Sequence, residues 1–231
     1  MVENRWSGRK AAMRGRSLMV LGTLFLAAVS SAATAESEVR EFTIHVDGKH
    51  AGSYQMTITS RDTGVTVMSG KAEVRLKVLF KTYVYTYDGT EVWKHHRLEG
   101  FRSNSFDDGK RFQVAAEAAG KGLRVSVNGS EYTTRGEAWL TSYWHLPEAK
   151  YRNQPIPLVE ADTGKLINGR LHYIGAERMV VGGETHSCQH YRVTGGPSPV
   201  DLWYDTRERL VRQDYMDDGH RTILQLRSVR R

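Results

Sequence analysis

The sequence predicts an all-β protein: one antiparallel sheet, curled or closed into a barrel, interrupted by a single short helical or irregular segment. Three observations carry this reading. Apolar and polar residues alternate with period two along most of the chain, Gly-containing turn pairs punctuate that alternation, and a sheet-like motif occurs twice, 110 residues apart. The first copy begins at Glu91 and the second at Asp201. Without a gap they match at Trp93 and Trp203, Arg97 and Arg207, Arg102 and Arg212, the Asp-Asp-Gly triplets from Asp107 and Asp217, and Arg111 and Arg221. Each copy reads as strand, turn, strand, Asp-Asp-Gly turn, strand. Gly supplies the positive φ a tight hairpin needs, and the preceding Asp can bond its own backbone. The acid two places before each Trp, Glu91 or Asp201, shares a strand face with it. Such a repeat marks either two related halves of one curled sheet or two ordinary three-stranded meanders.

The N-terminus reads as an address and not as part of the fold. Arg5, Arg9, Lys10, Arg14 and Arg16 precede an apolar run at residues 18–29, and Ala33-Thr34-Ala35 is a small-x-small cleavage site. A membrane span needs roughly 20 apolar residues, so residues 1–35 are expected to be a cleaved secretory signal, with an uncleaved anchor as the alternative. No Cys stands directly after the cleavage site, which argues against a lipid anchor. Residues 36–231 form a single all-β domain in this reading. The whole chain has 33 basic and 26 acidic residues, and without the leader 28 remain against 25. A balance that close gives no basic stripe for nucleic acid. Cys188 is the only cysteine, so core packing and ladder hydrogen bonds must hold the fold.

Along the mature chain, Phe42, Ile44 and Val46 alternate with polar residues up to the Asp47-Gly48 turn, and Tyr54, Met56 and Ile58 continue the pattern. Val65, Val67, Val74, Leu76 and Val78 follow a turn at residues 61–64. Tyr83, Tyr85 and Tyr87 then form a one-faced aromatic stripe, read as sheet core or as a cavity lining. After the first copy, Leu123, Val125 and Val127 lead to Asn128-Gly129, a strong hairpin signal. The pattern breaks at residues 136–157, where Trp139, Tyr143, Trp144, His145 and Leu146 crowd ahead of Pro147, Pro155 and Pro157. This segment is expected to be a short helix or ordered loop covering one opening of the sheet. Four short strands are then expected at residues 158–160, 165–167, 171–174 and 178–181, with turns at Asn168-Gly169 and Gly182-Gly183. His186 to Val193, a Gly195-Gly196-Pro197 loop and the second copy complete the chain.

These residues carry a resemblance. The Glu-x-Trp of the first copy, His190-Tyr191 before a Gly-rich turn, the run from Leu202 to Asp205 and the second Asp-Asp-Gly resemble a family of exported bacterial proteins defined only as a domain of unknown function. The resemblance covers residues 42–226 and implies no catalytic residues. More loosely, the chain is similar to β-rich envelope proteins that form barrels or half-barrels, some of which carry lipid-linked cargo. That likeness concerns fold.

The sequence has no G-x-S-x-G elbow, phosphate-cradling Gly loop, H-E-x-x-H or paired C-x-x-C. Asp107, Asp108, Asp217 and Asp218 read as turn residues, and His95-His96 as a solvated turn. His145, set among aromatics, reads as a structural histidine. One candidate metal set remains: His186, Cys188 and His190 share a strand face, and imidazole with thiolate suits zinc or copper if the sheet curves enough for them to converge. The polar alternation around them equally fits an edge strand with one half-buried Cys. Short, charged strands argue against a membrane barrel, so a periplasmic or secreted protein is expected. Three functions stay open. The leading one is non-catalytic binding of an apolar or amphipathic small molecule or lipid in the concave face, lined by Tyr83, Tyr85, Trp93, Trp139, Trp144 and Trp203, with no cofactor. A metal carrier or metal-dependent enzyme using His186, Cys188 and His190 is the second. A structural module that pairs its sheet edge with a partner is the third.

Overall fold

The computed structural model describes residues 35–78 and 81–231. The leader expected before Ala35 lies outside the described residues. The first arm of the sheet is an uninterrupted meander, each strand paired antiparallel with the next. It comprises β1 (Ala35–Val46), β2 (Lys49–Arg61), β3 (Val65–Val78), β4 (Lys81–Lys94), β5 (Arg97–Asp107), β6 (Lys110–Ala119), β7 (Gly122–Val127) and β8 (Ser130–Thr133). The chain then leaves the sheet, touches it again at β9 (Trp139–Leu140), makes one 3-10 turn at Ala149–Tyr151 and returns as β10 (Pro155–Val159). The second arm is β11 (Leu166–Val181), β12 (Glu184–Thr194), β13 (Val200–Asp205), β14 (Leu210–Asp217) and β15 (His220–Arg230).

β1 pairs with β15, so the two arms join at the middle of one 15-stranded sheet that runs from β8 to β9. All described pairings are antiparallel except β9 with β10. The sheet curls until its far ends meet through the loop after β10. Ser103 and Ser105 on β5 donate to the Ala161 and Asp162 carbonyls at 2.6 and 2.7 Å, and Tyr132 on β8 donates to the Gly164 carbonyl at 2.6 Å. Gly164 is required there: its φ is +70°, and a Cβ would lie 2.4 Å from Val127.

Both motif copies fold as strand, turn, strand, hairpin, strand. Asp108-Gly109 and Asp218-Gly219 carry the paired positive φ values of such hairpins, as Asp47-Gly48 and Asn128-Gly129 do. Their Trp residues nonetheless face opposite ways. Trp93 packs inward against Trp144, whereas Trp203 lies on the face opposite Leu202 and Tyr204, beneath His190 and Arg212.

Two expectations need correction. The strands are not short, since β1 to β4 run to 12–14 residues. The four short strands expected between residues 158 and 181 are two, β10 and a continuous sixteen-residue β11. Asn168-Gly169 is not a turn but lies within β11 opposite Ile156 and Pro157. Gly169 serves there as a gap, since a Cβ would sit 2.2 Å from Leu158.

Candidate functional site

The residues between β8 and β10 divide the concave side into two ends. At one end the space is filled. Ser142, Tyr143, Trp144, Leu146 and Pro147 are buried, and strands from both arms hold them. Arg40 on β1 donates to the Trp144 carbonyl at 2.7 Å, and Tyr204 on β13 donates to the Tyr143 carbonyl at 2.9 Å. Trp93, Trp144 and His145 meet edge to face with centroids 4.2–6.3 Å apart, and Trp139 packs in the same way on Tyr143.

Glu91 sits at the centre of this end with 0% of its surface exposed. Its Oε2 accepts the indole N–H of Trp93 at 2.7 Å and of Trp144 at 2.8 Å. Burial pushes the carboxyl up to about 7, against the opposing pull of hydrogen bonding from Ser142, Trp93 and Trp144. Oε1 has no partner of ordinary hydrogen-bond geometry among the described residues. Burial also depresses His145, to about 4, and its Nδ1 lies 2.8 Å from the Leu146 carbonyl, which fixes the neutral ring with its proton on Nδ1. The group is an acid and a base that are both neutral in mildly acidic water.

The other end is hollow. A cavity of about 400 Å3 opens between β1 to β4, the loop after β10 and the second arm. Ile44, Val46, Val74, Leu158, Val193 and Leu224 form its apolar walls, and Ser142 and Tyr143 from the filled end form its floor. Five further tyrosines line it: Tyr54, Tyr83, Tyr85, Tyr87 and Tyr215. Two of these rings cover a pair of glycines that face each other across β3 and β4. A Cβ on Gly70 would fall 2.4 Å from the Tyr54 hydroxyl, and one on Gly89 would fall 2.1 Å from that of Tyr87. At the rim, Tyr83 donates to Asp107 at 2.8 Å and Tyr85 to Asp162 at 3.3 Å. Burial raises every one of these phenols, so at neutral pH they act as hydrogen-bond donors and not as acids.

Of the six aromatic residues expected to line the concave face, Tyr83 and Tyr85 line this cavity. Trp93 and Trp139 instead border a crevice of about 20 Å3 beside His145, Trp144 is packed in the filled end, and Trp203 faces outward. The lining residues that sequence reasoning missed are Tyr54, Tyr215 and the carboxylates around the rim. Tyr54 sits in register with Phe42 and, through Ala72, with Tyr87 on neighbouring strands; that alignment is legible only after the strands are paired.

The expected metal ligands do share one face of β12, but they do not converge on a common point. Both ring nitrogens of His190 are occupied, Nδ1 by Glu177 at 2.9 Å and Nε2 by Asp201 at 2.7 Å. Its ring stacks on Trp203 at 4.3 Å. His186 faces Glu184 at 3.8 Å, and burial raises the Cys188 thiol to about 11, far from the thiolate that binds metals. Among the described residues no group of three or more His, Cys, Asp or Glu side chains is arranged to hold a metal ion.

Residues 42–227 match the model of a family described as a domain of unknown function, DUF6134. The chain belongs to that family. DUF6134 thus includes a protein with this single curled sheet, in keeping with the β-rich family that the sequence resembles. No curated protein matches the chain. Among solved structures, it is similar to a β-barrel-like protein of the DUF1849 domain of unknown function from Brucella abortus. The TM-score is 0.62 at 9% identity, over 84% of this chain and 96% of that one. At that identity the likeness is one of fold alone. Among the described residues no helix is long and apolar enough to cross a membrane.

Proposed function

We propose that this DUF6134 protein is an exported binding protein that holds an amphipathic small molecule, without transforming it, in the tyrosine-lined end of its curled sheet. The observation that carries the reading is the cavity of about 400 Å3, which is lined by aliphatic side chains and tyrosines together. Ligand pockets commonly fall at roughly 300–1,000 Å3, mostly apolar with a few placed polar groups, and curled sheets and barrels hold ligands in this position. The filled end supplies a rigid floor. Its Trp residues, buried Glu91 and buried Arg40 fix Ser142 and Tyr143 in place without occupying the hollow.

Native mass spectrometry of protein purified gently from the cells that make it, compared with the same sample after denaturation, tests this reading. An added organic mass that leaves on denaturation is expected. A bare chain that also fails to take up any alkyl compound offered to it would overturn the proposal.

A further inference from the structure

We propose that the ligand of this cavity is a cation as well as an amphiphile: an organic amine or quaternary ammonium compound with an apolar body. The inference rests on the cavity being a ligand site, as argued above, and it concerns what the rim reads.

Four carboxylates line the cavity, Asp107, Glu160, Asp162 and Asp217, and no Lys, Arg or His is among the described residues that line it. Elsewhere the same protein pairs its acids with bases. Asp201 meets Arg192, Asp214 meets Arg212 and Arg221, and Glu117 meets Arg124. None of the four cavity acids forms an ion pair among the described residues. Their hydrogen-bond donors are neutral: the Tyr83 hydroxyl for Asp107, the Tyr85 hydroxyl and Thr163 amide for Asp162, and the Thr163 hydroxyl for Glu160.

Two of these acids, Asp162 and Asp217, are held above the usual carboxylate range, by burial first and by neighbouring acids next. Burial and then Glu160 raise Asp162. Burial raises Asp217 too, followed by Asp218, Asp107 and Glu160, with His220 opposing weakly. A bound cation would relieve the repulsion from neighbouring acids, whereas a fatty acid or a lipid phosphate would add to it. The four acids are spread round the rim, and no three are grouped as a metal site would require. The fitting charge is therefore diffuse and organic.

A second, independent observation points the same way. Tyr87 lines the cavity at 6% exposure, and its hydroxyl is buried with no hydrogen-bond partner among the described residues. The oxygen of this hydroxyl is left free to accept an ammonium N–H, or to turn its lone pairs toward a quaternary ammonium charge. The rings of Tyr54, Tyr83, Tyr85, Tyr87 and Tyr215, all lining the cavity, add electron-rich groups of the kind an ammonium ion favours in a partly desolvated setting.

Three alkyl compounds with the same tail and different heads, a trimethylammonium, a primary alcohol and a carboxylate, separate the possibilities. Binding of each to the full mature chain is measured by calorimetry below the micellar range at neutral pH. The trimethylammonium compound is expected to bind about tenfold or more tighter than the alcohol, with the carboxylate weakest. The double variant Asp162→Asn with Asp217→Asn should bring the ammonium compound down to the alcohol's affinity while the alcohol's own affinity changes less than about threefold, because Asn Oδ1 can still accept the Thr163 amide and its NH2 can donate to the Tyr85 hydroxyl oxygen. Equal binding of ammonium and alcohol, a preference for the carboxylate, or an ammonium preference untouched by the double variant would each overturn the cation while leaving the cavity in place. Failure of all three to bind would overturn the cavity reading and the cation together.

Discussion

At one end of the curled sheet, Trp93, Trp139, Trp144 and His145 pack edge to face and leave a crevice of about 20 Å3; at the other, Tyr83, Tyr85 and Tyr87 stand beside a hollow of about 400 Å3. Both ends use inward-facing aromatic residues of β4, six residues apart at Tyr87 and Trp93. The difference comes from what meets them. Residues 138–147 enter the concave side over Trp93 and supply two more Trp residues, a His and two Leu, while over Tyr83 and Tyr85 the short loop at residues 160–163 arrives. Polarity follows the same division. Indole N–H groups turn inward to one buried carboxyl, and phenol hydroxyls turn outward to carboxylates at the rim.

The largest effect should come from emptying the filled end. Trp144→Ala is expected to lower stability by about 4 kcal/mol in chemical denaturation, against less than about 1 kcal/mol for Tyr85→Phe at the hollow end. Similar losses at both positions would break the comparison. Glu91→Ala, measured near pH 5 where the native carboxyl is protonated, should cost about 3 kcal/mol, because two buried indole donors lose their acceptor.

The filled end also predicts an offset in pH dependence. Folded Glu91 keeps its proton up to about 7 whereas the unfolded chain releases it above 4.5, so this group's contribution to stability falls as pH rises from about 4.5 to about 7. The unfolded chain protonates His145 below 6.5 but the folded protein only near 4, so the second contribution is lost as pH falls from about 6.5 to about 4. The two slopes oppose each other where they overlap. Glu91→Gln, whose amide oxygen can still accept both indoles, should abolish the first and expose the second. Relative to the parent it should gain up to about 3 kcal/mol above pH 7 and show a steeper loss in acid. A melting profile parallel to the parent's from pH 4 to 8 would contradict the assignment. A modest stability loss, about 1–2 kcal/mol, is expected for Ala72→Phe, which adds a ring beside Tyr54 and Tyr87 and should block the cavity.

Much of the fold was legible in the sequence, and the reason is physical. Period-two alternation and positive-φ turn residues are local properties, so β1, β2 and the Asp-Asp-Gly hairpins could be read directly. Asn168-Gly169 misled because the same pair that makes a turn also relieves a close approach, here to Leu158, and only the tertiary neighbour distinguishes the two. The site was half legible. The tyrosine stripe of β4 is a local pattern, and it did mark the cavity. The Trp residues did not, because whether an aromatic lines a space or fills it depends on a segment distant in sequence: Glu91 meets Trp144 across 53 positions. The repeat carried a further trap. Glu91-x-Trp93 and Asp201-x-Trp203 are alike in sequence, but one pair faces inward to the floor of the cavity and the other outward beneath His190 and Arg212.

The most direct test of the division between the two ends is a titration of the protein with a neutral solvatochromic naphthylamine probe. It is run on the parent, on Ala72→Phe at the hollow end and on Trp139→Phe at the filled end. The division predicts saturable one-to-one binding by the parent and by Trp139→Phe, and none by Ala72→Phe. Binding that persists in Ala72→Phe, or that disappears only in Trp139→Phe, would contradict it.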